Sequence, residues 1–375
     1  MIKPFICFGT RPEAIKLAPV IRECVNRNGI EPFVCSTGQH REMLDDVINY
    51  FDIPVHVDLN VMTANQTLSS LTTTLLEKIG GTIGDALPDC IIAQGDTTTV
   101  MVAAMTAFYH KIPFCHVEAG LRTYDLQSPW PEEFNRRVAG LCASLHFAPT
   151  QKSVSALLKE GVPKKDVYLS GNTVIDSLLW AREKECSTDS PWQKKYEFLK
   201  DNKMILVTGH RRENFGQGFQ NICAGLQKLA AHYPDIEFVY PVHLNPNVQK
   251  PVYDLLGNLG NFHLVPPTPY PEFIWLMDRS HLIITDSGGV QEEGPSFKKP
   301  ILVTRETTER PEAVDVGAVT LTGSNAETIF STASHLLDDD VAYASHTVAK
   351  NPYGDGASSK RIVDVLLERF NTKYS

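Results

Sequence analysis

Apolar runs of four to six residues alternate with amphipathic stretches along most of the chain. Short apolar runs bounded by polar turns read as buried strands, and the stretches between them repeat their apolar positions at helical spacing. Strands are expected at residues 4–8, 32–36, 90–93, 113–117, 145–148 and 167–169, and helices at 13–26, 40–50, 66–85 and 174–184. Within 66–85 the positions Leu68, Leu71, Leu75, Leu76 and Ile79 are expected to share one face. Alternation of this kind builds a parallel, doubly wound α/β sheet with helices on both faces. The polar stretch Ser187-Thr-Asp-Ser-Pro-Trp breaks the pattern. A second series then starts at 203 and continues through 237–241, 262–265, 281–285, 301–304 and 318–321, with a last helix at 358–370.

A chain of 375 residues exceeds what one core usually holds. The expectation is therefore two Rossmann-like doubly wound parallel-sheet domains facing a cleft. Residues 1–170 with 357–375 form the first and residues 171–356 the second. Hydrophobic content of 42% and charged content of 21% fit a soluble globular enzyme. A net charge of −9 argues against nucleic-acid or membrane-surface partners, which want basic patches. It leaves room for one anionic ligand held by a few local cations. The eight cysteines are scattered without a C-x-x-C pair, which reads as reduced thiols with neither a disulfide framework nor a zinc site. Met1-Ile-Lys-Pro lacks the apolar core of a signal peptide and no run approaches transmembrane length, so a cytoplasmic location is expected.

The candidate chemistry centres on residues 94–137, where Asp96 and Glu118 each follow an apolar run and Glu132 lies beyond a turn-rich segment. Acids at the ends of buried strands sit where open α/β sheets present their chemistry, and partial desolvation suits them to proton transfer. Singly, each reads as a helix cap or surface charge. Together, with Gly95 and Gly120 beside two of them, they point to a site. Gly9-Thr-Arg-Pro places Arg11 and Lys16 near the N-terminal end of the first helix, a place that favours phosphate. Thr285-Asp-Ser-Gly-Gly brings Ser287, Gly288 and Gly289 between a strand and a helix, where backbone N–H groups can approach an anion closely. Glu292 and Glu293, one turn on, suit ribose hydroxyls. His210 follows the first strand of the second series. The run from Arg305 to Arg310 reads either as a solvated loop or as a further phosphate contact through Arg310. Neither G-x-G-x-x-G nor a P-loop is present, so neither NAD nor a nucleoside triphosphate is indicated.

Nine stretches, in order along essentially the whole chain, resemble the bacterial non-hydrolysing UDP-N-acetylglucosamine 2-epimerases. They are Gly9-Thr-Arg-Pro-Glu-Ala-Ile-Lys, Gln94-Gly-Asp-Thr-Thr-Thr, His116-Val-Glu-Ala-Gly-Leu-Arg-Thr, Pro131-Glu-Glu-x-Asn-Arg, Gly209-His-Arg-Arg-Glu-Asn, Pro241-Val-His-Leu-Asn-Pro-Asn-Val, Thr285-Asp-Ser-Gly-Gly-x-Gln-Glu-Glu, Thr308-Glu-Arg-Pro-Glu and Asn351-Pro-Tyr-Gly-Asp-Gly. The resemblance implies a GT-B type fold and reversible epimerisation at carbon 2 through bound 2-acetamidoglucal, with a UDP-sugar substrate, a homodimeric state and no metal or redox cofactor. It implies acid/base roles for Asp96, Glu118 and Glu132, with Lys16 and His210 close to the reacting sugar and diphosphate. Arg11 would brace the diphosphate, Ser287, Gly288 and Gly289 hold phosphate, Glu293 the ribose, Phe273 the uracil neighbourhood and Arg310 the UDP. In activated members a second substrate molecule binds beside the site. The matching positions here are Gln39, Gln66, Arg211 and His243, although Asn65 stands where those members carry Arg. A hydrolysing epimerase, a GT-B glycosyltransferase and a non-catalytic nucleotide-sugar sensor are the competing readings. Three carboxylates argue against the last two.

Overall fold

Pro4-Phe-Ile-Cys-Phe is buried at every position and forms β1 (Pro4–Phe8), the third strand of a seven-stranded parallel sheet. The computed structural model of the protein describes residues 1–38, 41–63, 65–187, 190–347 and 350–371. The remaining strands of this sheet are β2 (Phe33–Ser36), β3 (Val57–Asp58), β4 (Cys90–Gln94), β5 (Phe114–Val117), β6 (Ala143–Ala148) and β7 (Val167–Leu169). They lie in the order β3-β2-β1-β4-β5-β6-β7. Strands buried on both faces are apolar without alternation, which is why six of the seven read as short apolar runs. The exception is β3, two residues long and partly exposed at the sheet edge, which gives no such run and was not expected. The order reverses between β1 and β4. From there the chain winds outward in opposite directions and leaves a crevice beyond the carboxyl ends of those two strands.

The chain falls into two compact units, Met1–Ser177 with Gly354–Ser375, and Leu178–Tyr353. The first packs Phe5, Cys7, Ile91, Ala93 and Phe114 into its core. In the helix Leu68–Ala86 the buried stripe runs through Leu75, Ile79 and Ile83. Leu68, expected on that face, is 39% exposed because the first turn lies beyond the stripe. The terminal helix Ser358–Asn371 starts on Asp176, whose carboxylate accepts from the Ser358 and Ser359 backbone N–H groups at 3.2 and 2.8 Å. That carboxylate satisfies donors which have no partner inside the helix.

The second unit repeats the plan with six parallel strands. They are β8 (Met204–Thr208), β9 (Glu237–Pro241), β10 (Phe262–Val265), β11 (Leu282–Thr285), β12 (Ile301–Val303) and β13 (Val319–Leu321), in the order β10-β9-β8-β11-β12-β13. Its switch point falls between β8 and β11. Ile205, Val207, Phe238, Tyr240 and Ile284 lie in its core. Both units are therefore Rossmann-like. Among the described residues no helix is long and apolar enough to cross a membrane, and no group of three or more His, Cys, Asp or Glu is placed to hold a metal ion.

Candidate active site

In the first unit the register pairs Gln94 of β4 with Val117 of β5, so Asp96 and Glu118 emerge from adjacent strand ends. Glu118 is buried and sits in the left-handed backbone region at φ 64°. That conformation is uncommon for a residue other than glycine and often marks a constrained functional position. Its carboxylate accepts from Lys16 Nζ at 2.6 Å, from Asn172 Nδ2 at 3.0 Å and from the Gln94 side-chain amide. Lys16 lies in the helix Arg11–Asn26, which Arg11 itself begins. The three strand ends beyond β1, β4 and β5 thus converge on one carboxylate.

Asp96 is ion-paired with Arg136, and its backbone carbonyl accepts from Asn135 Nδ2 at 2.9 Å. Both donors belong to the helix Glu132–Cys142, whose first residue is Glu132. Glu132 and Arg136 are four apart, hence on one helix face. The neighbouring acid has a different job. Glu133 is fully buried and accepts from the Thr123 and Tyr124 backbone N–H groups at 3.1 and 3.2 Å, which ties down the loop before the helix. Nothing in the sequence distinguishes these adjacent glutamates.

Glu13 was not singled out by sequence, yet it joins the two loops at the switch point. One carboxylate oxygen accepts from the Gly9 and Thr10 backbone N–H groups at 2.9 and 2.7 Å, and the other from Thr97 Oγ1 at 2.5 Å. Burial pushes its pKa up, and those hydrogen bonds pull the other way. Thr10 and Glu13 form a capping box, and a Glu three residues after Thr is its sequence signal.

His116 of β5 donates through Nε2 to the Gly95 carbonyl at 2.7 Å, and its neighbour across the strand pair is His146 of β6. Burial holds both imidazoles far below their ordinary range, His116 at about 3 and His146 at about 4. Unfolded histidine titrates near 6.5, so below that pH the unfolded chain takes up protons that these two rings refuse. Stability is then lost as pH falls from 6.5 towards 4, by at most about 1.4 kcal/mol per pH unit for each ring. Urea unfolding of His116→Gln is expected to show a shallower decline over that window. A slope equal to the parent's contradicts the assignment.

In the second unit the β8 and β11 ends are tied by Thr208 and Thr285, whose hydroxyl oxygens are 2.6 Å apart. Asp286 is fully buried and accepts from the His210 and Arg211 backbone N–H groups, both at 2.8 Å. It fixes the loop that carries His210. The His210 ring lies 3.5 Å from Asp286 and is stacked on His243 at 5.6 Å. Burial lowers its pKa, and the Asp286 charge opposes that. Ser287 stands at the N-cap position of the short helix Gly288–Glu293 without a side-chain capping bond, and the helix's first N–H groups have no acceptor inside the helix. The Arg310 guanidinium covers Gly288 so closely that a Cβ there would lie 2.8 Å from its central carbon. Arg310 Nε donates to Glu292 at 2.8 Å, so Glu292 orients this cation. Glu293 accepts from the Tyr270 hydroxyl at 3.3 Å, in front of the helix Tyr270–Arg279 that carries the half-buried Phe273.

The run from Arg305 to Arg310 is a loop exposed at Glu306, Thr307 and Glu309 but anchored at its start. Arg305 is buried and bridges Glu213 at 2.5 Å and Glu309 at 2.9 Å. This pairing holds the Glu309 carboxyl down at about 2, against the opposing effect of burial. Of the four positions matched to an activating site, Arg211 and His243 flank the His210 loop in the second unit. Gln66 lies in the first, donating to the Val61 carbonyl at 3.2 Å, and Gln39 lies outside the described residues.

Two Rossmann-like units, one with carboxylates gathered at strand ends and the other with a glycine loop under an arginine, place the chain in the GT-B class of nucleotide-sugar proteins. Its family follows from comparison. The family model for UDP-N-acetylglucosamine 2-epimerase matches residues 22–367, and the chain belongs to that family. It is 50% identical to the UDP-N-acetylglucosamine 2-epimerase of Campylobacter jejuni over 99% of both chains. The crystal structure of the Neisseria meningitidis UDP-GlcNAc 2-epimerase bound to UDP-GlcNAc superposes with a TM-score of 0.91 at 48% identity, over 98% of this chain and 100% of that one. The Methanocaldococcus jannaschii UDP-GlcNAc 2-epimerase in complex with UDP-GlcNAc and UDP gives 0.81 at 33% identity, with the same coverage.

Proposed function

We propose that this chain reversibly inverts carbon 2 of UDP-N-acetylglucosamine to give UDP-N-acetylmannosamine for cell-surface polysaccharide synthesis, without releasing the free sugar. The observation that carries the reading is the buried Glu118 carboxylate, ion-paired with Lys16 and set beside the Asp96 strand end. The sequence motifs, in order along the chain, match the non-hydrolysing group, and the relatives named above carry the epimerase activity or the UDP-sugar in their names.

Carbon 2 bears no carbonyl, so its proton is too weakly acidic for simple removal and return. Coupling its removal to departure of UDP changes the balance. A base takes the carbon 2 proton, the freed electron pair forms the carbon 1–carbon 2 double bond, and the anomeric carbon–oxygen bond breaks with its electrons on the diphosphate. UDP then adds back to 2-acetamidoglucal while a proton enters carbon 2 from the opposite face. Two opposed acid/base groups are needed, and they come from the carboxylates Asp96, Glu118 and Glu132. Lys16, Arg11, His210 and Arg310, with Ser287 and the N–H groups of Gly288 and Gly289, take the charge that grows on the diphosphate. Glu293 holds the ribose and Phe273 lies by the uracil.

Incubation with UDP-N-acetylglucosamine alone, followed by NMR, is expected to yield a second UDP-sugar. Stoichiometric UDP and free N-acetylmannosamine would mark a hydrolysing enzyme. No change until an acceptor is added would mark a glycosyltransferase.

The same reading has a cytoplasmic homodimer. A solution mass of one copy at working concentration would remove the dimer. It also has Gln39, Gln66, Arg211 and His243 binding a second UDP-N-acetylglucosamine as activator. The rate is then sigmoidal in that substrate, and pure UDP-N-acetylmannosamine stays unconverted until a trace of the other epimer is added. Hyperbolic kinetics in both directions would remove the activating site.

A further inference from the structure

We propose that Asn172 is a positioning residue for the Glu118 carboxylate, and that it fixes Glu118 from the point where the chain passes out of and back into the first unit. The proposal rests on Glu118 being an acid/base group.

The orientation of the Asn172 amide follows from its partners. Asn172 is buried, and its Oδ1 accepts from the Val174 backbone N–H at 3.1 Å, on the first turn of the helix Thr173–Glu185. With the oxygen used as a helix cap, the NH2 group faces the other way and donates to Glu118 Oε1 at 3.0 Å. A residue that caps a helix through its oxygen therefore presents a donor to the carboxylate that also pairs with Lys16.

The backbone of Asn172 is fixed from two further directions. Ser177, on the same helix, donates to the Ile15 carbonyl at 2.5 Å, which docks the helix start against the residue preceding Lys16. Gly354, the first residue of the returning segment, lies against the Asn172 backbone, where a Cβ at 354 would be in ordinary van der Waals contact with the Asn172 carbonyl oxygen at 3.4 Å and its nitrogen at 3.5 Å. The outgoing helix and the returning segment thus both bear on the residue that orients Glu118. A donor there holds one lone pair of Oε1 and leaves the carboxylate one way to face its substrate.

Asn172→Asp separates this role from a structural one. An aspartate oxygen caps Val174 as well as an asparagine oxygen does. The group facing Glu118 becomes a second carboxylate, and like charges sharing a site raise the pKa of one of them. The Glu118-dependent limb of the kcat/KM profile is expected to move up by about one pH unit or more, with kcat at neutral pH falling about tenfold and KM changing far less. The urea midpoint should stay near the parent's. Asn172→Ser keeps a capping oxygen without the amide donor, and is expected to lower kcat without the upward pH shift. It serves as the reading if the Asp variant does not fold. A parent-like pH profile in Asn172→Asp, or a parent-like kcat in Asn172→Ser, overturns the proposal while Glu118→Gln is inactive. Near-normal turnover in Glu118→Gln instead removes the acid/base reading of Glu118 on which the proposal stands.

Discussion

Glu118→Gln is expected to lower turnover by at least ~100-fold, the scale of a lost general acid/base group, while UDP binds nearly as before. The substitution keeps the size of the side chain, but it replaces a carboxylate that accepts from Lys16, Asn172 and Gln94 with an amide. An amide neither takes the carbon 2 proton nor returns it. Asp96→Asn should behave alike, since Arg136 orients Asp96 without occupying the chemistry that the charge performs. Arg310→Ala should invert the pattern. It removes a cation that Glu292 aims over Gly288, so UDP affinity should fall more than the chemical step. Single-turnover rates and UDP titrations separate the two. If both carboxamide variants keep near-normal turnover, the carboxylates are not the acid/base groups.

The second large effect is on stability. Gly120 stands two residues beyond Glu118 with φ 92°, and a Cβ there would overlap the Ser153 carbonyl oxygen and lie 3.0 Å from Leu157. Neither neighbour gives way easily, because one is backbone and the other belongs to a small packed cluster with Ala119 and Ala148. Gly120→Ala should therefore cost about 3 kcal/mol or more, the sum of a disfavoured backbone region and overpacking. Gly161→Ala is the control, since Gly161 has φ 87° with open space around it. It carries the conformational cost alone, about 1–2 kcal/mol. Equal losses in urea unfolding would mean that close packing at Gly120 contributes nothing.

The central strands were legible because both faces of a parallel sheet are covered, so they appear as apolar runs such as Pro4–Phe8 or Cys90–Gln94, whereas the two-residue edge strand Val57–Asp58 left no such mark. The positions of Asp96 and Glu118 beyond those runs were legible for the same reason. Their partners were not. Lys16 and Gln94 meet at Glu118 because the sheet places β4 between β1 and β5, and Asn172 joins them from the segment after β7; sequence spacing carries no trace of either. The anchoring of Arg305 was hidden for a related reason. In sequence the residue belongs to a charged run, and only the fold brings the half-exposed Glu213 to the buried Arg305 and so anchors the start of the loop. Leu68 shows the limit of periodicity, which marks a face but not where along the helix the cover ends.

Solvent exchange at carbon 2 is the most direct test of the proposed chemistry. If a carboxylate removes that proton and another delivers one from the opposite face, the proton is shared with water during the cycle. Reaction in deuterium oxide, followed by NMR of the UDP-sugar pool, should place deuterium at carbon 2 of the UDP-N-acetylmannosamine formed. Over long incubation, traces of 2-acetamidoglucal and UDP should also appear, because an intermediate held by non-covalent contacts sometimes leaves. UDP-N-acetylmannosamine that retains the substrate's own hydrogen at carbon 2 would contradict elimination and re-addition by Asp96, Glu118 and Glu132.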